Sequence, residues 1–487
     1  MKEHTGRQLH QGFLKGTYSA EEIASYYLKR IENYDPKVGS FLAVLTARVQ
    51  AKAKALDEKK ARGEPLGKLA GVPIAVKDNI HIKGELTTCA SKFLTNYRAV
   101  FDATVTRLLE EEDALLIGKT NLDEFAMGSS NENSALKDTR NPWNLECVPG
   151  GSSGGSAACV AARLSPLSLG SDTGGSVRQP AAFCGVVGFK PTYGRVSRYG
   201  LVAFGSSLDQ IGPIATAVED IGMMMEVMGR PDPHDATSLP NHPEDYLALL
   251  DSDIKGKKIG VPWKFLEEMP EEGKKIFLDS LETYKSLGCE LVEVDLDILK
   301  YSVATYYIIA TAEASTNLAR FDGIRYGVRA EGQTLDEIYD RSRTEGFGPE
   351  VKKRIFLGTY ALVAGFQDQF YRQATKVRME IFTAFEKAFA LCDVIATPVS
   401  PIAAFPKGAI QDPLEMYLQD IYTIGVNLAH LPAISIPCGF NQDKKPMGLQ
   451  LIGAKHDDLL VCRMGHAYEK AAPFSKEIPP LFNEETS

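Results

Sequence analysis

The sequence predicts an α/β fold: a single large domain whose central β-sheet is covered by helices on both faces. Three observations predict it. Strand-like and helical segments alternate along most of the 487 residues, no internal repeat is found, and no stretch has the composition of a linker. Alternation of this kind is typical of layered α/β architectures. We therefore expect one domain over residues 1–487.

The elements follow from hydrophobic spacing and from end signals. Ser19-Ala-Glu-Glu22 is a capping box, and Ile23, Tyr27 and Ile31 follow at helical spacing, so a helix is expected there. The further elements predicted in the same way are strands at Ala70–Val76, Leu115–Ile117, Lys258–Val261, Cys289–Val294, Val394–Thr397, Ala433–Pro437 and Leu449–Ile452, and helical segments at Ala103–Glu111, Ala215–Val227, Glu271–Leu287, Tyr301–Phe321 and Glu350–Phe389.

Composition limits the function classes. The formal net charge is -9 and no basic stretch stands out, so a nucleic-acid substrate would need to be bound by another chain. The eight cysteines form no CxxC pair, which favours reduced thiols in the cytosol over disulfides or a zinc site. Residues 1–17 lack the apolar core of a secretory signal, and every apolar run is too short to span a membrane. We expect a cytoplasmic protein without a membrane segment.

Residues 149–199 are dense in glycine and serine but also contain buried-type residues, so we interpret them as packed core. A serine nucleophile needs a base within hydrogen-bond reach and backbone N–H donors aimed at the developing oxyanion. Glycines allow successive N–H groups to point into one cavity. Thr173-Gly174-Gly175-Ser176 has this composition and runs into an expected helix.

Lys77 is the candidate base. None of the eight histidines lies in a recognisable base motif, whereas Lys77 ends the apolar run Val72–Val76. Burial in such surroundings favours the neutral amine. A lysine at a strand end is more often a solvated surface residue, and the combination with the glycine-rich serine segments is what favours a catalytic role.

Competing motifs are weaker. Gly118-Lys119-Thr120 resembles the end of a phosphate-binding loop, but Asp113 stands where the first glycine is required. Gly150–Gly154 matches G-x-S-x-G, although the residues before it, 146–149, would form a poor strand. A Ser-His-Asp hydrolase remains an alternative.

These segments, together with 125–130 and 188–197, resemble the amidase signature family over nearly the whole chain, most strongly in a catalytic core at about 69–213. The resemblance implies a mixed central sheet and a Ser-cisSer-Lys triad. Ser176 would be the nucleophile, Ser152 the bridging serine in a cis peptide with Gly151, and Lys77 the base. The resemblance also implies an oxyanion hole from the N–H groups of Thr173, Gly174, Gly175 and Ser176, with Asp172 and Arg178 as supporting residues.

Within that family the chain most resembles the glutamine-hydrolysing A subunits of tRNA-dependent amidotransferases, through residues 194–213, 313–323, 351–358 and 423–432. The resemblance implies that Arg354 holds the carboxylate of a free glutamine and Asp420 its ammonium group. Either Tyr306 or Tyr307 would line the same pocket, and no metal is expected. His430 is a departure, because glycine is usual there.

The same resemblance implies partners. Ammonia would pass to a B subunit, which would use ATP and magnesium to convert Glu-tRNA(Gln) to Gln-tRNA(Gln), and a small C subunit would complete a heterotrimer. No cofactor is expected in this chain. Two alternatives stay open: a free-standing amidase of small aryl or aliphatic amides, which would lack a paired arginine and aspartate, and a structural subunit with an inactive site, which the presence of all three triad residues disfavours.

Overall fold

The computed structural model describes residues 1–240 and 244–483. Its strands are β1 (Phe41–Val44), β2 (Pro73–Lys77), β3 (Leu115–Thr120), β4 (Leu167–Asp172), β5 (Val187–Lys190), β6 (Gln210–Ala215), β7 (Lys258–Val261), β8 (Glu290–Glu293), β9 (Val394–Pro398), β10 (Ala433–Phe440) and β11 (Pro446–Gly453). All belong to one sheet in the order β1-β3-β2-β4-β6-β5-β10-β11-β9-β7-β8. Parallel pairs such as β2–β4 and antiparallel pairs such as β4–β6 occur together. The expected mixed α/β sheet is confirmed.

The α-helices surround this sheet. They are α1 (Gly6–Lys15), α2 (Ala20–Val38), α3 (Thr46–Ala61), α4 (Thr104–Glu111), α5 (Gly154–Ala161), α6 (Arg178–Cys184), α7 (Val218–Met228), α8 (Tyr246–Leu249), α9 (Glu271–Ser286), α10 (Ser302–Asn317), α11 (Leu335–Gly346), α12 (Pro349–Leu362), α13 (Tyr371–Phe389), α14 (Pro413–Leu418), α15 (Ile421–Leu428) and α16 (Asp458–Ala471). The capping box predicted at Ser19 begins α2.

Strand β2 shows how the two faces are filled. Its side chains alternate between faces because the strand period is two. Ile74 and Val76 pack into a core that includes residues of α4 and α7, whereas Ala75 packs into a second core with residues of α2 and α5. Lys77, two residues after Ala75, therefore points toward the α5 face.

Several predicted elements were wrong in extent; for example, the strand expected from Ala70 begins at Pro73. The single helical stretch expected at Glu350–Phe389 is two helices, α12 and α13, because the chain between them contains Gly365 with φ +94°, which a continuing helix does not allow. The helix expected from Ala215 begins at Val218, and Ala215 instead ends β6. That strand was not predicted, since Gly212 and Pro213 weaken its strand signal.

Of the residues described, none forms a helix long and apolar enough to cross a bilayer.

Candidate active site

Lys77 is buried where β2 ends, against the start of α5. Its Nζ lies 2.8 Å from Ser152 Oγ, 2.9 Å from Ser153 Oγ and 2.9 Å from Ser171 Oγ. The side chain has no exposed surface and forms no ion pair within the described part of the chain. Burial lowers the pKa of Lys77 to about 7. A neutral amine is thus accessible near neutral pH, as a general base requires.

The peptide bond Gly151–Ser152 is cis, as the family resemblance implied. Ser152 and Ser153 are fully buried and directly precede α5. Gly151 packs so closely that a Cβ there would overlap Asp123 Oδ2, so only glycine fits at this position. Its N–H donates to Gln179 Oε1 at 3.0 Å. The chain is therefore held in place at the residue directly before the bridging serine.

Ser176 adjoins this pair through the backbone, since the N–H of Ser153 donates to the carbonyl of Ser176 at 3.2 Å. The Ser176 hydroxyl forms no hydrogen bond with residues 1–240 or 244–483, so the link from Ser152 to Ser176 is not formed in this structure. Catalytic hydrogen bonds often tighten only when substrate is bound. The structure thus brings the three predicted residues to one place and forms the first of the two links, Lys77 to Ser152.

The loop before Ser176 departs from expectation at one residue. The N–H of Gly175 donates to Asp172 Oδ1 at 2.9 Å, so it is engaged within the protein and is not free to meet an oxyanion. The N–H groups of Thr173, Gly174 and Ser176 have no acceptor in the part of the chain that the structure describes. Gly175 is therefore a correction to the predicted oxyanion hole, and three of the four donors remain as candidates.

Asp172 and Arg178 lie beneath this loop as a fully buried ion pair at 2.9 Å. Although burial opposes ionisation of the carboxyl, the Arg178 guanidinium holds the pKa of Asp172 well below its usual range. Arg178 also donates to Gln450 Oε1 at 2.6 Å and to Asn427 Oδ1 at 2.5 Å. The pair joins the loop to the far half of the sheet, which is a position suited to the supporting role predicted for it.

Arg354 and Tyr307 line a cavity of about 210 Å³ together with Ser129. Arg354 is buried, and its Nε donates to Glu350 Oε1 at 2.7 Å. Its guanidinium carbon lies 5.2 Å from the centre of the Tyr307 ring and 5.6 Å from that of Phe204. Its two terminal nitrogens have no acceptor among the described residues. That edge is the one with which a guanidinium binds a carboxylate in bidentate fashion.

Asp420 lies next to the same cavity, because its carboxylate accepts a short hydrogen bond from Ser129 Oγ. Burial raises the pKa of Asp420 to about 7, although the bond from Ser129 favours the ionised form. The structure thus places one cationic and one acidic side chain at the same end of the site. Below, Ser129, Tyr307, Arg354 and Asp420 are called the recognition end, and Lys77, Ser152, Ser176 and the loop 173–175 the catalytic end.

The two tyrosines divide between these ends. Tyr307 lines the cavity and stacks on Tyr417 with ring centres 3.8 Å apart. Tyr306 lies against the catalytic loop, where a Cβ on Gly174 would meet its ring at 2.8 Å. Of the two candidates, Tyr307 is the one that contacts Arg354.

His430 adopts φ +62°, a conformation that favours glycine and so explains why glycine would be usual there. Its ring stacks on Tyr193 at 4.3 Å, and its Nε2 lies 2.8 Å from the carbonyl of Ser207. His430 therefore contacts the segment around Ser207 and does not reach the triad.

Sequence reasoning missed four side chains of the site: Ser129, Ser153, Ser171 and Gln179. All lie in segments that the sequence had singled out, at 125–130 and 149–199, but nothing in the motifs says which serine faces the lysine. Within residues 1–240 and 244–483, no group of three or more His, Cys, Asp or Glu side chains is placed to hold a metal ion.

Known proteins are similar to this chain in both sequence and fold. The family model described as Amidase matches residues 22–462, and the chain belongs to the amidase family. A protein of Protochlamydia amoebophila, named as the A subunit of glutamyl-tRNA(Gln) amidotransferase, is 61% identical over 100% of both chains. A protein of the same name from Chlamydia abortus is 53% identical over 99% of both.

Comparison with solved structures finds similar proteins of the same family. The crystal structure of the glutamyl-tRNA(Gln) amidotransferase A subunit from Thermotoga maritima has a TM-score of 0.81 and 43% identity, covering 98% of this chain and 97% of that one. A bacterial aryl acylamidase of the amidase signature family has a TM-score of 0.87 and 25% identity, with 98% of each chain covered. One fold therefore serves relatives that are named for different activities.

Proposed function

We propose that this chain is the glutamine-hydrolysing A subunit of a glutamyl-tRNA(Gln) amidotransferase. One observation carries the proposal: the site has two ends with different chemistry. One end holds a buried lysine paired with a serine, and the other holds a charge pair suited to an α-amino acid. The first provides amide hydrolysis, and the second selects a substrate with both a carboxylate and an ammonium group.

The first half of the reaction forms an ester. Ser176 Oγ attacks the side-chain amide carbon of glutamine while its proton passes through Ser152 to the neutral amine of Lys77. The oxyanion meets the N–H groups of Thr173, Gly174 and Ser176, whose fixed dipoles stabilise the charge as it develops. The C–N bond then breaks, the proton returns through Ser152 to the leaving nitrogen, and ammonia is released.

The second half frees the enzyme. A water molecule attacks the ester and gives its proton to Lys77 through Ser152. The bond to Ser176 Oγ breaks, the proton returns to that oxygen, and glutamate leaves. The relay is used twice in each direction, which requires a base whose pKa lies close to the working pH.

The amidotransferase assignment is supported by full-length similarity to proteins of that name. In the proposed assembly a B subunit receives the ammonia and aminates Glu-tRNA(Gln) with ATP and magnesium, and a C subunit completes the heterotrimer. The formal net charge of -9 suits a chain that leaves tRNA binding to a partner, and a cytoplasmic location follows from that substrate.

A free-standing amidase of aryl or aliphatic amides is the second candidate, favoured by the structural similarity to an aryl acylamidase. The buried Arg354 and Asp420 argue against it, because two buried charges at the far end of the site disfavour an apolar amide.

The test measures ammonia release from glutamine by the chain alone and by the chain co-expressed with B and C subunits. The same measurement is made on the complex that carries Ser176→Ala. We expect Ser176→Ala to abolish glutamine hydrolysis while added ammonium still supports amidation of Glu-tRNA(Gln). Ser165→Ala, which removes another buried serine hydroxyl outside the site, is the matched control and should stay active. Retained glutaminase in Ser176→Ala would refute the nucleophile, and hydrolysis of simple amides but not glutamine would favour the free-standing amidase.

A further inference from the structure

Asp209 lies between the two ends of the site and contacts both sides. Asp209 directly precedes β6, and Thr173 directly follows β4. These two strands are antiparallel, and Asp172 of β4 is paired with Gln210 of β6. Thr173 and Asp209 are therefore cross-strand neighbours. Both are almost fully buried, with exposed fractions of 1% and 3%.

One carboxylate thus joins two segments. Oδ1 accepts the hydroxyl of Thr173 at 2.7 Å. Oδ2 accepts the N–H of Phe204 at 2.8 Å, and the N–H of Gly205 lies 3.0 and 3.1 Å from the two oxygens. Burial raises the pKa of Asp209 to about 6, which leaves it ionised at neutral pH and able to accept all of these hydrogen bonds.

The Thr173 contact acts on the catalytic end. Two polar contacts fix the peptide unit between Gly174 and Gly175: its carbonyl accepts from Thr423 Oγ1 at 2.7 Å, and its N–H donates to Asp172. The residue before it, Thr173, is fixed through its side-chain hydroxyl, which donates to Asp209. Oxyanion donors work only when they are held at the position that the charge will occupy. The Thr173 side chain is thus the contact that orients the first of the free N–H groups.

The Phe204 contact acts on the recognition end. The Phe204 ring lies over the Arg354 guanidinium, and the Phe204 carbonyl is held by Asn317 Nδ2 at 3.0 Å. Asp209 therefore fixes the segment that forms one side of the arginine, while the same carboxylate fixes the loop beside Ser176.

We propose that Asp209 is a positioning residue that sets the distance between the oxyanion loop and the Arg354 end, and thereby selects the side-chain length of glutamine over that of asparagine. This rests on the proposed glutaminase function. Asparagine is one methylene shorter than glutamine, so its amide and its carboxylate cannot span as large a separation. A single methylene is commonly discriminated by about 10–200-fold, and only a rigid spacing can use that difference.

The experiment measures kcat and KM for glutamine and asparagine with the full chain co-expressed with its partners. Thr173→Val keeps the shape and removes the hydroxyl. We expect kcat to fall about 10–100-fold, which is no larger than the fall caused by removing an oxyanion donor. We expect KM to change by less than about twofold. Thr173→Ser should restore kcat to within about threefold, because it returns the donor to Asp209.

Asp209→Ala releases both segments. We expect the fall in kcat seen with Thr173→Val, a higher KM for glutamine, and a glutamine-to-asparagine ratio of kcat/KM lowered by about tenfold. The matched controls are Thr104→Val and Asp232→Ala. These residues form a similar buried pair outside the site, with Thr104 Oγ1 donating to Asp232 Oδ2 at 2.6 Å. The controls should keep the activity and the ratio of the parent.

A Thr173→Val enzyme as active as Thr104→Val would overturn the proposal, and so would an unchanged substrate ratio in Asp209→Ala. The Thr173 variants decide the catalytic contact even where Asp209→Ala does not fold. A parent enzyme inactive on glutamine would instead refute the proposed function, so the two failures are distinguishable.

Discussion

The catalytic end and the recognition end are built from different parts of the molecule. The catalytic end lies where β2 and β4 finish and α5 and α6 begin, within the catalytic core expected at about 69–213. The recognition end takes Arg354 from α12 and Asp420 from the residue before α15, with Ser129 as its contact to the core. In the proposed function, the sheet fixes the groups that act on the amide bond, and later helices add the groups that select the substrate.

This difference implies that the two ends can be disturbed separately. Groups that act on the reacting bond should change kcat, and groups that hold the far end of glutamine should change KM.

Lys77→Ala and Ser152→Ala should each lower kcat by several powers of ten, with KM for glutamine little changed. The double variant should be only slightly worse than either, since residues of one relay are not additive. Single-turnover ammonia release measures this. Independent, multiplying losses would mean that Lys77 and Ser152 do not act as one relay, and a large KM effect would remove the separation between the two ends.

Asp420→Asn should raise KM for glutamine about 10–100-fold, because a charge-assisted contact to the substrate ammonium is lost. Hydrolysis of a simple primary amide that lacks the ammonium should change little. Asp412→Asn, an exposed carboxylate that lines the same cavity, is the matched control and should leave KM unchanged. Equal losses for both substrates would show that Asp420 supports the fold instead of binding glutamine.

The pH dependence should differ between kcat and kcat/KM. Burial lowers the pKa of Lys77 to about 7, and only the neutral amine accepts a proton, so kcat should rise with pH and level off above that value. Burial raises the pKa of Asp420 to about 7, and only its ionised form attracts the substrate ammonium, so kcat/KM should fall more steeply than kcat below that value. The extra steepness should disappear in Asp420→Asn, and its persistence would assign it to another group.

His430→Gly should destabilise the protein by about 1 kcal/mol and leave kcat unchanged. Glycine relieves the left-handed backbone, but the stacked ring and its polar contacts are lost. His456→Gly is the matched control, because His456 also has a positive φ of +79° and takes part in none of the described ring stacks. It should be neutral or stabilising in denaturant unfolding, and a stabilised His430→Gly would show that backbone strain outweighs the stack.

The catalytic end was the more predictable of the two. Lys77, Ser152 and Ser176 lie in contiguous segments whose composition already indicates the chemistry, and the structure brings them together. The hydrogen bond from the Gly175 N–H to Asp172 was not predictable, because it depends on the position that the Asp172 carboxylate takes in the folded structure. Strand β6 was missed because Pro213 in its middle weakens the strand signal. Arg354 and Asp420 carry no local signal at all, and only the family resemblance singled them out.

The contact between Glu350 and the Nε of Arg354 has a stereochemical consequence. With that side of the guanidinium taken, the carboxylate of a glutamine bound as proposed would meet the arginine at its opposite edge, while its ammonium would reach Asp420 and its amide would reach Ser176. Three attachment points in fixed, different directions define a handedness. In the proposed function, a mirror-image amino acid that satisfied any two of them would direct its third group away from its partner, so the site would distinguish the chirality of the α-carbon as well as its charges.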